Sequence, residues 1–99
     1  MSAYFVATYN VADRASYEAY AAHVGPLLRK HGAEVLVADY HADTLEGAPR
    51  EVCVVLRFPS RDAALAWYHD PDYKQPRELR LRASSDGVAL IATPLSATP

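Results

Sequence analysis

The residues with chemistry to offer in this 99-residue sequence are histidine, arginine and tyrosine. Tyr17, Tyr20 and His31 fall on one apolar face at helical spacing. Each ring carries a polar atom that needs a partner when buried, so the three together suggest a pocket with polar tips. His31 or His23 could act there as a general base, because imidazole titrates near neutral pH. The plainer alternatives are a cation at a helix C-terminus for His31 and an exposed edge position for His23. Arg57 ends an apolar run, where its guanidinium could hold a carboxylate, enolate or phenolate. It could equally be an exposed strand-end arginine, or one paired with a carboxylate such as Asp62.

Trp67 and Tyr68 could form an aromatic wall to a pocket, with the Tyr68 hydroxyl orienting a ligand. Their shared face with Ala63 and Ala64 fits core packing instead. Tyr73 follows a turn and fits a pocket as well as it fits packing. Arg77, Arg80 and Arg82 make a basic patch that could bind an anion, or simply a solvated helix face. Asp39, His41 and Asp43 alternate, so an extended chain sets them on one side. They could hold a divalent metal, or Asp39 could orient His41 as a base. A strand end running into a loop carries such residues anyway, and no metal site is assigned. Cys53 reads as a small core residue, with no basic neighbour to activate its thiol. The sequence shows no catalytic triad, glycine-rich phosphate loop or zinc-ligand cluster.

These residues need elements to position them. Tyr4 to Val11 is rich in aromatic and β-branched residues and reads as a strand with apolar residues on both faces. Asp13 is placed to cap an amphipathic helix carrying Tyr17, Tyr20, Ala21, Val24, Leu27, Leu28 and His31 on one face. Pro26 predicts a kink or two helical pieces, and Gly32 supplies the left-handed stop. Glu34 to Tyr40 is a second strand, and 41–50 a hairpin loop. Val52 to Phe58 is the best candidate for a central strand. Ser60 caps a short second helix that Asp70-Pro71 ends. Asp72 to Arg82 predicts a helical turn or two disturbed by Pro76. Ser84 to Gly87 reads as a turn, Val88 to Thr93 as the last strand, and Pro94 to Pro99 as a frayed tail.

The length suits a single domain spanning 1–99. The net charge of −2 argues against duplex nucleic acid or a membrane surface as partner. A lone cysteine fits a reducing, cytoplasmic setting. No signal peptide is recognisable, and no stretch approaches the ~20 apolar residues of a membrane span.

The order β-α-β-β-α-(α)-β predicts an α+β, ferredoxin-like βαββαβ fold. Its antiparallel four-stranded sheet would carry the helices on one face. The other face would then be bare yet apolar. A second copy packed sheet to sheet would cover it, giving a homodimer that closes a barrel.

The sequence also resembles the DUF1330 family of the dimeric α/β-barrel superfamily. The likeness rests on Phe58-Pro59-Ser60, Ala63-Ala64, Trp67-Tyr68 and Pro71-Asp72-Tyr73. Tyr4, Tyr17, Tyr20, Pro26-Leu27-Leu28 and His31-Gly32 support it, and it extends over about residues 3–93. Arg57 departs from the family, which often has an acidic residue there. The resemblance implies a dimeric α+β barrel. The superfamily includes cofactor-independent monooxygenases, cyclases and isomerases of aromatic or polyketide compounds, and some haem-binding proteins.

Two functions are therefore expected. The first is a cofactor-independent enzyme acting on such a metabolite, with a histidine base and arginine or tyrosine stabilising the anion. The second is a non-catalytic ligand-binding or stress-related barrel. A haem site on His23, His31, His41 or His69 ranks lower. Single-stranded RNA on the sheet is disfavoured by the net charge and by the need to bury the open face.

Overall fold

The structure, a computed structural model, describes residues 2–95, so the last part of the expected tail lies outside the described residues. The elements are β1 (Ala3–Val11), α1 (Arg14–Lys30), β2 (Glu34–Asp39), β3 (Val52–Phe58), α2 (Arg61–Tyr68), a 3-10 turn (Pro71–Tyr73), α3 (Lys74–Ala83) and β4 (Ser84–Ala92). All neighbouring strands are antiparallel, in the order β2-β3-β1-β4. This is the ferredoxin-like α+β arrangement, with β1 and β3 central.

Alternation along the strands sorts the side chains. Phe5, Ala7 and Tyr9 of β1 and Val52, Leu56 and Phe58 of β3 are buried in one core with Tyr17, Tyr20, Leu28, Ala64, Trp67 and Tyr73. The opposite face carries the intervening residues. Val37, Val55, Val6 and Leu90 form a row across all four strands. Val37, Leu90 and nearby Val88 are exposed. Cys53 pairs with Thr8 on this outer face and is only partly buried, so it is not a core residue.

Local chemistry explains the helix ends. The Asp13 carboxylate accepts from the Ser16 N–H at 3.2 Å and from its hydroxyl at 2.8 Å, capping α1. At the other end Gly32 adopts φ +72°, and its N–H bonds the Arg29 carbonyl while the Ala33 N–H bonds that of Leu28. That is a Schellman stop. A side chain at Gly32 would also crowd Pro59, whose Cγ would lie 3.1 Å from its Cβ. Ser60 caps α2, its Oγ accepting from the Ala63 N–H at 3.0 Å.

Three expectations change. Of the two alternatives at Pro26, separate helical pieces do not form: α1 runs through it as one element, with Val24, Leu27 and Leu28 packing on the core on both sides of it. Pro26 removes one bond, and burial of that face offsets the loss. Pro76 does not disturb α3, because it lies in the first turn, where the N–H has no helical partner to lose. Ser84 to Gly87 is strand rather than turn. Asp86 and Gly87 together oppose Tyr9 in a β-bulge, with Asp86 at φ 57°.

Asp70 ties the C-terminus of α1 to the junction between α2 and α3. Its carboxylate accepts from His31 Nε2 at 2.7 Å, the Asp72 N–H at 2.9 Å and Lys30 Nζ at 2.9 Å. These donors, His31 foremost, hold its pKa well below the usual carboxylate range. A depressed folded-state pKa contributes stability that is complete above the unfolded value of about 3.9 and is lost as pH falls below it. Asp70→Asn should therefore lower the urea midpoint at neutral pH, and the two midpoints should converge below about pH 4. Parallel midpoint–pH curves would count against this role.

Candidate functional site

The edge strand β2 is left uncovered by the helices. Even Val35, which pairs with core residue Leu56 on the helix-facing side, is 53% exposed. The gap between α1 and β2 opens a cleft of about 280 Å³. Phe5, Ala7, Val54 and Leu56 contribute from the central strands, Val24 and Leu28 from α1, and Val35 and Ala38 from β2. Its polar groups are Tyr9, Tyr17, Tyr20, Tyr40 and Arg80.

The tyrosines are paired. The Tyr9 and Tyr17 hydroxyls are 2.6 Å apart, and those of Tyr20 and Tyr73 are 3.1 Å apart. Tyr40 stands edge-on to Tyr17 with ring centroids 6.0 Å apart. Burial raises the pKa of Tyr17, and the hydroxyl of Tyr9 adds to the rise. Burial likewise lifts Tyr20 well above the ordinary phenol value, with Tyr73 adding to it. Burial raises Tyr9 too, though its bond to Tyr17 and the nearby Arg80 charge oppose this. At neutral pH these groups are therefore phenols, able to donate hydrogen bonds but not to act as phenolate bases.

Arg80 comes from the buried face of α3 and is only 4% exposed. Its guanidinium lies 5.7 Å from the centroid of the Tyr9 ring, a cation–π contact. Its Nε and Nη2 are buried without a hydrogen-bond partner. Burial works against its charge; the Coulombic pull of Tyr73, Tyr20 and Tyr9 makes the net shift upward, but that pull belongs to phenolate, so beside neutral phenols the burial cost stands. Arg80 is a cation in the wall of an apolar cleft.

The residues singled out from sequence are dispersed. Tyr17, Tyr20 and Arg80 meet at the cleft, with Tyr73 bonded behind Tyr20. Arg77, Arg80 and Arg82 form neither a shared basic patch nor one solvated face, since they differ in burial. Arg77 packs over the Tyr68 ring at 4.9 Å and donates to the Tyr68 carbonyl, while Arg82 is exposed. Trp67 is fully buried in the core, 4.4 Å from Tyr73 between ring centroids, and Tyr68 is partly buried at a separate groove beside β4. His23 is exposed, its Nδ1 2.7 Å from the Ala19 carbonyl. His31 is held by Asp70, and neither histidine lines the cleft. Arg57 faces the open side of the sheet and pairs with Glu34 rather than Asp62. Asp39 accepts from the His41 N–H at 2.8 Å, a local turn bond. Among the described residues no three metal-ligating side chains gather.

Tyr9 and Tyr40 were not among the sequence candidates. A signal existed for Tyr9, which alternates with Phe5 and Ala7 on the apolar side of β1. A tyrosine at a core position needs a partner for its hydroxyl, and this chain has seven tyrosines against two phenylalanines. Tyr40 lies just past the end of β2, and nothing in the sequence marks it.

The ferredoxin-like sheet agrees with the comparisons to known proteins. The chain belongs to the DUF1330 family, a domain of unknown function, whose profile matches residues 2–94. No curated protein matches the sequence. Among solved structures, the chain is similar to a protein of unknown function from Rhodopseudomonas palustris, at 18% identity and a TM-score of 0.81, covering 96% of this chain and 83% of that one. It is also similar to SnoaB, a cofactor-independent oxygenase from Streptomyces nogalater, at 17% identity and a TM-score of 0.64, covering 99% and 97%. A dimeric ferredoxin-like protein of unknown function from Thermobifida fusca aligns at 17% identity and a TM-score of 0.63, covering 94% and 92%. Among the described residues no helix is long and apolar enough to cross a membrane.

Proposed function

We propose that this protein binds a small, largely apolar metabolite of aromatic or polyketide-like character in the cleft between α1 and β2. The observation that carries this reading is the cleft itself, apolar walls with converging tyrosine hydroxyls and one buried guanidinium. Its volume of about 280 Å³ suits a ligand of one or two rings. If the bound compound reacts, Arg80 and the phenols would stabilise an enolate or phenolate during a cofactor-independent isomerisation, cyclisation or oxygenation. The similarity to SnoaB supports that branch. A non-catalytic carrier is the second reading, and it is favoured because no histidine lines the cleft.

The working form is a homodimer joined through the open sheet face. Support comes from the apolar row Val37–Val55–Val6–Leu90 and from the dimeric state given for the Thermobifida fusca protein. Val55→Asp sets a charge in the middle of that row. It should convert a dimer to monomer in sedimentation equilibrium, and an unchanged dimer would place the interface elsewhere.

The cleft is tested by NMR titration with 2-naphthol as a neutral probe. Shifts should concentrate on Ala21, Val24, Val35 and Ala38 and should vanish in Ala21→Trp, which fills the mouth from an exposed position. Shifts confined to the open sheet face, or none at all, would overturn the cleft reading.

A further inference from the structure

We propose that the cleft takes its ligand as a carboxylate, with Arg80 as the counter-ion. This rests on the cleft reading above and narrows the ligand to small aromatic or alicyclic carboxylic acids. The first support is the missing negative charge. Among the described residues the ion pairs join Lys30 to Asp70 and Asp72, His31 to Asp70, and Arg57 to Glu34. Arg80 is in none of them, although it is one of the most buried charged residues. A buried charge without a counter-ion is costly, and an anion placed in the cavity it lines would relieve that cost at low local dielectric and give its unpartnered Nε and Nη2 an acceptor.

The second support is the excess of donors. In each hydroxyl pair, Tyr9 with Tyr17 and Tyr20 with Tyr73, one oxygen donates to the other. The accepting hydroxyl keeps its own proton free to donate. The hydroxyls of Tyr9, Tyr17 and Tyr20 line the cleft together with the Arg80 guanidinium. A donor-rich site of this kind matches a group that only accepts.

The third support separates a carboxylate from a phenol or enol. Among the described residues the cleft is lined by apolar side chains, phenols and Arg80, none of which accepts a proton at neutral pH. The ligand must bring its own charge. A carboxylic acid with a pKa near 4 does so, whereas a phenol with a pKa near 10 arrives neutral.

The experiment compares 2-naphthoate with its neutral near-isostere 2-naphthamide by isothermal titration calorimetry on the full chain. The carboxylate should bind at least about tenfold more tightly to the unmodified protein. In Arg80→Met the two affinities should come within about twofold of each other, with the amide little changed. Arg80→Lys, which keeps the charge, should retain part of the preference. Equal affinities in the unmodified protein would overturn the carboxylate inference while leaving the cleft reading intact, and that comparison needs no variant to fold. Failure of both compounds to bind would overturn the cleft reading and the inference with it.

Discussion

Replacing Trp67 with alanine should cost about 3–5 kcal/mol, a large fraction of the roughly 5–15 kcal/mol by which a typical domain is stable. Trp67 is fully buried and is the hub of the aromatic core. Its ring centroid lies 5.1 Å from that of Phe5, 5.4 Å from Phe58 and 4.4 Å from Tyr73. These neighbours come from both central strands and from the turn after α2, so a void here loosens sheet and helices together. Partial collapse around so many rings is hindered, because each is already packed on another. The indole Nε1 is buried with no hydrogen-bond partner, so Trp67→Phe removes volume without breaking a bond. It should cost roughly half as much as the alanine change, or less. Urea denaturation followed by far-UV circular dichroism measures both. An alanine variant within about 1 kcal/mol of the parent would show that the core is organised elsewhere.

The second large effect has the opposite sign. Arg80→Met should stabilise the ligand-free protein by about 1–3 kcal/mol. Methionine fills much of the same volume and removes a buried charge that has no counter-ion. The change also removes the contact with the Tyr9 ring, worth about 0.5–1 kcal/mol at exposed sites and about 2 kcal/mol when desolvated; at 5.7 Å, near the ~6 Å limit of such contacts, it falls toward the lower figure and reduces the gain. A stability gain alongside a binding loss is the mark of a residue kept for its ligand. If the methionine variant were less stable than the parent, Arg80 would be a structural residue. Thermal unfolding of the two proteins without added ligand distinguishes these outcomes.

The fold was legible because its signals are local and agree with one another. Alternation in 4–11, the Asp13 and Ser60 caps, Gly32 and the apolar run 52–58 each specify an element directly. Where reading failed, a longer-range contact had decided the matter. Burial of α1 on both sides of Pro26 keeps as one helix what that residue alone could have split in two. Pairing with β1 draws Ser84 to Gly87 into β4, because the sheet tolerates the extra residue as a bulge. The site was only partly legible for the same reason. Tyr17 and Tyr20 declare themselves by helical spacing, but Arg80 differs from Arg77 and Arg82 only in the direction α3 presents it. That direction depends on how α3 packs against α1. His31 illustrates the converse, a residue of catalytic type whose partner, Asp70, lies 39 positions away and is reached only in the folded chain.

The central claim is that an anion sits beside Arg80 beneath α1. A crystal structure of the protein with 2-naphthoate tests it directly. The expected result is one naphthyl ring between α1 and β2, with a carboxylate oxygen within about 3 Å of the Arg80 guanidinium and of a tyrosine hydroxyl. A ring bound instead in the groove beside Tyr68, or on the open sheet face, with Arg80 still unpartnered, would contradict it.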